Sequence, residues 1–112
     1  MKILIDVNYG FDRLSIVANE NQNIFTANGN PINFDIMRFM FKVCDITMKW
    51  PISLKNKNKT IKDGTKVVIL IEDDKQRKIM KYINKLPEDY YKLEILLDEV
   101  SNNVERNLRQ TN

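Results

Sequence analysis

The stretch Asn33 to Trp50, NFDIMRFMFKVCDITMKW, limits the possible folds more than any other part of the chain. Its polar residues Asp35, Arg38, Lys42, Asp45 and Lys49 recur at alternating steps of three and four, which places them along one narrow stripe of a helix. Nearly every other position is apolar, including Phe34, Ile36, Met37, Phe39, Met40, Phe41, Val43, Cys44, Ile46 and Met48. A helix apolar over most of its circumference must be covered on more than one side. It is therefore either a central core helix or one covered partly by its own fold and partly by a partner. Asn33 reads as its N-cap, with Asp35 suited to the positive end of the helix dipole and Lys49 to the negative end. Trp50-Pro51 ends it, because a residue before proline avoids the helical region.

Before this helix, Lys2–Asn8 alternates β-branched and other residues and reads as a strand buried on one face. Residues 13–18 and 23–27 read as two more strands. Tyr9-Gly10-Phe11-Asp12 and Asn19-Glu20-Asn21-Gln22 are the turns between them, and Asn28-Gly29-Asn30-Pro31 closes the segment. The result is a three-stranded antiparallel meander. After the helix, residues 52–65 fit a lysine-rich loop or a hairpin edge equally well. Lys66–Glu72 contains the unbroken aliphatic run Val67 to Ile71 and reads as a fourth strand buried on both faces. Asp73 followed by Gln76 resembles a capping box and predicts a helix to about Lys85. Leu86-Pro87-Glu88-Asp89 restarts the chain as a last helix to about Leu108, with Leu93, Leu97, Val100, Val104 and Leu108 on its apolar face, widened by Tyr90, Tyr91, Ile95 and Leu96.

These elements describe a single α+β domain over residues 1–112: a meander, a central apolar helix, a buried fourth strand and two C-terminal helices. The longest aliphatic run is too short to span a bilayer, and no signal-peptide core follows Met1-Lys2, so a cytosolic protein without membrane contact is expected.

The chain has no histidine and one cysteine, Cys44. Histidine-dependent nucleophilic catalysis and histidine- or thiolate-based metal sites within one chain are thereby excluded. Cys44 lies in the apolar helix and reads as a small buried hydrophobe. Remaining acid–base or metal chemistry would have to use carboxylates, Lys or Tyr.

The order strand–strand–strand–helix–strand–helix over roughly residues 2–85 resembles the first two-thirds of a ribonuclease H-like fold. The resemblance implies a two-metal phosphodiester site holding Mg²⁺ or Mn²⁺ on Asp6, on Asp35 or Asp45, and on Asp73 or Asp74; the family's last acid has no clear counterpart, and Glu94 or Asp98 would stand in for it only if the final helix folds back. The opening KILIDVNYGFD is faintly similar to the first strand and phosphate turn of actin-like ATPases, but the chain is far too short for that two-domain enzyme.

The net charge of +3 is unevenly spread. Lysines crowd residues 49–66. Trp50, Lys55, Lys57, Lys59 and Lys62 form the nucleic-acid candidate, the lysines engaging phosphate and the indole stacking on a base. Against this, Trp50 also suits packing at the helix end, and arginine, which dominates specific recognition, is scarce. Acids crowd the last helix, where Glu94, Asp98, Glu99 and Glu105 would face a basic partner, and the same helix could pair two copies of the chain. Abundant Ile, Asn and Lys suit an AT-rich coding genome, such as that of low-GC Gram-positive bacteria and their phages. Small size, this composition and the missing catalytic equipment point to a non-catalytic phage or mobile-element protein without a cofactor. It would bind and inhibit a host protein, a defence nuclease being one target class, as in anti-CRISPR proteins. The alternative is a nucleic-acid-binding module or a carboxylate-dependent nuclease.

Overall fold

The computed structural model describes residues 1–55 and 64–104. The strands are β1 (Lys2–Asn8), β2 (Arg13–Asn19), β3 (Ile24–Ala27), β4 (Asn30–Pro31), β5 (Lys66–Glu72) and β6 (Arg77–Ile83). The helices among the described residues are α1 (Ile36–Thr47), between β4 and β5, and α2 (Tyr90–Ser101), after β6. The protein is thus α+β, with one six-stranded sheet in the order β4-β3-β2-β1-β5-β6, antiparallel at every pairing.

Period-two sequence sets the two faces of this sheet. Ile3, Ile5 and Val7 of β1, Ile16 and Ala18 of β2, Val67 and Ile69 of β5, and Met80 and Tyr82 of β6 are fully buried. Both helices pack on this face: Phe39, Met40 and Val43 of α1 and Leu93, Leu97 and Val100 of α2 join the same core. The intervening residues Leu4, Val17, Val68 and Leu70 are only half-buried, so the opposite face is open.

Several expectations are corrected. Residues 77–83 form a strand, not a helix. Asp73 Oδ1 accepts from the backbone N–H groups of Lys75 and Gln76, both at 2.8 Å, and Asp73 N–H donates to the Gln76 carbonyl at 2.9 Å. An aspartate that accepts from the amides two and three residues on starts a helix or closes a hairpin with the same bonds, so the capping box is locally ambiguous. Burial of Met80 and Tyr82, two apart, selects the strand. Two C-terminal helices therefore become one, and the helix on which the ribonuclease H-like resemblance depended is missing. β5 is internal to the sheet but buried on one face only, because no element among the described residues covers Val68 and Leu70.

The N-cap of α1 is Asp35, not Asn33. Its carboxylate accepts from Met37 N–H at 3.0 Å and Arg38 N–H at 3.3 Å, while Asn33 N–H is bonded to the Asn103 carbonyl. The additional strand β4 arises because Asn28 and Gly29 both adopt positive φ, 49° and 83°, which makes a two-residue hairpin turn. α2 ends at Ser101, well before Leu108. Val104 bridges back to Ile32, so within the described residues the helix lies along the body and does not project.

Candidate protein-binding surface

α2 carries the densest run of sequence-predicted partner residues. Leu93, Leu96, Leu97 and Val100 anchor one face in the core. At 100° per residue, Tyr91 and Ile95 lie roughly 160° from that face, and they are 57% and 63% exposed. Glu94 and Asp98 flank them on one side and Glu99 on the other, all exposed. Glu105 lies outside the described residues. The sequence reading assigned Tyr91 and Ile95 to the buried face; only their neighbours Tyr90 and Leu96 are there. The angular offset from Leu93 and Leu97 is the signal that would have separated them.

Both ends of α2 are tied down. At the start, the Trp50 indole N–H donates to Asp89 Oδ1 at 2.7 Å. At the finish, Asn102 and Asn103 N–H groups return to Asp98 and Val100 carbonyls, and the Asn103 carbonyl accepts from Asn33. The exposed stripe is therefore presented on a fixed support, which lowers the ordering cost of binding.

The residues of the nucleic-acid candidate are differently placed. Trp50 is 6% exposed, edge-on to Tyr82 at 5.9 Å and tilted against Tyr90 at 6.2 Å, so its ring has no free face on which a base could stack. Lys55 is exposed, and Lys57, Lys59 and Lys62 lie outside the described residues. Lys78 Nζ reaches the carbonyls of Thr47 and Trp50, at the negative end of α1.

The carboxylates of the metal candidate are apart. Asp6 sits on the open sheet face, where Arg13 Nε and Nη2 donate to its two oxygens at 3.0 and 2.9 Å. Asp45 is on the helical layer, lining a cleft between α1 and α2 with Lys42, Lys92 and Glu99. Asp73 is in the β5–β6 turn, where the amides of Lys75 and Gln76 hold its carboxyl below the ordinary range. Asp35 is the α1 cap. Among the described residues, no three Asp, Glu or Cys side chains come together as a metal site.

Cys44 is half-buried on α1, its Sγ 3.9 Å from Met1 Sδ, and burial raises its thiol pKa. That favours the unreactive protonated form. No helix among the described residues is long and apolar enough to cross a membrane. Comparison with protein-family models, curated proteins and solved structures finds no match to this chain.

Proposed function

We propose that the protein works by stoichiometric binding to another protein, without catalysis, through the outer face of α2. The observation that carries this reading is the pair Tyr91 and Ile95, exposed on a tethered helix and ringed by Glu94, Asp98 and Glu99. An aromatic and an aliphatic anchor supply the desolvated centre of a contact, and the surrounding carboxylates steer and orient a basic partner. Enzymes that process nucleic acid expose such basic surfaces, because they must bind phosphate. Together with the small size and AT-biased composition, this suits a phage or mobile-element protein that inhibits a host nucleic-acid-processing protein in the cytosol, a defence nuclease being the leading class.

The test is a tagged pull-down from host lysate, with and without nuclease treatment, using wild type, a Tyr91→Ala/Ile95→Ala variant and an Asp98→Lys/Glu99→Lys variant. One stoichiometric protein, retained after nuclease treatment and lost with both variants, supports the reading. Recovery of nucleic acid, with proteins lost on digestion, would overturn it in favour of a nucleic-acid-binding module.

A further inference from the structure

Met37, Phe41, Cys44 and Met48 follow one another along α1 at steps of four, three and four residues. At 100° per residue they fall within about 60° of one another, the spacing of a coiled-coil seam. Met37 is 54% exposed, Phe41 75% and Met48 68%, with Cys44 half-buried beside them. Met37 and Phe41 point away from both neighbours of the helix, while Cys44 and Met48 border the β5–β6 end of the sheet beside Ile71, Asp73 and Gln76, with Cys44 Sγ 3.9 Å from Met1 Sδ. Phe39, Met40, Val43 and Thr47 face the sheet, and Lys42 and Ile46 face the α2 cleft, with Asp45 exposed at its outer lip.

The seam is complementary to its own reverse. Laid antiparallel against a second α1, Met37 meets Met48 and Phe41 meets Cys44. In heptad terms Met37 and Cys44 are d positions, Phe41 and Met48 are a positions, and Arg38 and Asp45 are the two e positions. Antiparallel seams bring e opposite e, so Arg38 of each copy meets Asp45 of the other. A parallel pair would instead set e against g, and the g positions Met40 and Thr47 are buried in the protein's own core. Arg38 and Asp45 side chains are both exposed, and Arg38 is held over the Phe34 ring at 5.8 Å, on the free side of the helix.

We propose that α1 pairs with α1 of a second copy of this chain as an antiparallel, two-fold symmetric interface, with Phe41 at its centre and two Arg38–Asp45 pairs at its rim. The isologous geometry follows from one patch serving both copies. The pairing leaves the outer face of α2 free, so it stands or falls separately from the binding function proposed above.

A single pair of short helices is a small interface, so association is expected only at micromolar concentrations or above. Sedimentation velocity on the full chain from about 1 to 300 µM should show the 13.3 kDa species giving way to one of twice that mass. Phe41→Glu should remain monomeric throughout; because Phe41 is exposed, its circular dichroism and melting should match wild type. Arg38→Asp and Asp45→Arg singly should each weaken dissociation constants about tenfold, since each breaks two symmetric ion pairs and sets like charges together. The double variant Arg38→Asp/Asp45→Arg restores opposite charges and should recover to within about threefold of wild type. A monomer at every concentration would overturn the proposal. So would a dimer that survives Phe41→Glu, which would assign the contact to another face, or a double variant no better than the singles.

Discussion

The indole N–H of Trp50 donates to Asp89 Oδ1 at 2.7 Å, joining the chain that leaves α1 to the residue that precedes α2. Asp89 occupies the N-cap position of α2 but its side chain makes no capping hydrogen bond there. Its carboxylate serves the inter-helix tie instead. Trp50 in turn lies between Tyr82 of the sheet and Tyr90 of α2, so one aromatic cluster connects three elements.

Asp89→Ala should therefore cost about 1.5–3 kcal/mol, the range for a hydrogen bond to a charged group whose buried donor is left unpaired. Asp89→Asn keeps an acceptor and should lose less. Urea denaturation followed by the fluorescence of the single tryptophan measures both. A loss below about 0.5 kcal/mol for the alanine variant would show the bond to be dispensable.

The two buried tyrosines of this cluster should respond oppositely to loss of the hydroxyl. Tyr82 O–H donates to the Pro51 carbonyl, whereas the buried Tyr90 O–H lies beside the Tyr9 hydroxyl without a well-formed hydrogen bond among the described residues. Tyr82→Phe is expected to destabilise by about 1 kcal/mol, and Tyr90→Phe to be neutral or stabilising by up to about 1 kcal/mol. Paired denaturation curves decide the matter, and equal losses would contradict the assignment.

The same burial makes stability sensitive to high pH. Burial pushes the Tyr82 phenol up to about 12 from an ordinary value of 10.0, and pushes Tyr90 further up. The folded state thus holds protons that the unfolded chain releases near the ordinary value. Stability from Tyr82 is complete below about pH 10 and falls as pH rises towards about 12. In that window the wild type should lose stability more steeply than Tyr82→Phe, read as melting temperature against pH. Parallel slopes would show that the Tyr82 phenol does not carry the effect.

What the sequence made legible, and what it hid, divides along physical lines. Ile3, Ile5 and Val7 alternate with polar or half-exposed neighbours, and their shared burial on one face follows from the two-residue period. The α1 stretch read as too apolar for one covering layer, and Met37, Phe41 and Met48 do remain exposed after the sheet and α2 have covered the rest. Residues 73–83 misled because an aspartate bonded to the amides two and three residues on is compatible with a helix start and with a hairpin turn. The strand was decided by a distant fact, the burial of Met80 and Tyr82. Tyr91 and Ile95 were misplaced for a related reason: α2 offers more apolar residues than one face can hold, and only packing shows which are surplus. Trp50 gave no local sign of Asp89, which lies thirty-nine residues away.

The surplus on α2 makes the last prediction. Tyr91 and Ile95 contribute little to the core, so Tyr91→Ala and Ile95→Asp should leave stability within about 0.5 kcal/mol of wild type. If they anchor a partner, each should weaken binding by at least about thirtyfold, chiefly through faster dissociation. Glu94, Asp98 and Glu99 at the rim should behave differently. Their reversal to lysine should slow association and remove its dependence on ionic strength, because rim charges steer encounter more than they hold the complex. Surface plasmon resonance at two salt concentrations, with the protein recovered from the pull-down, separates these effects. Wild-type rates with all of these variants would show that the exposed face of α2 is solvated surface and that the partner binds elsewhere.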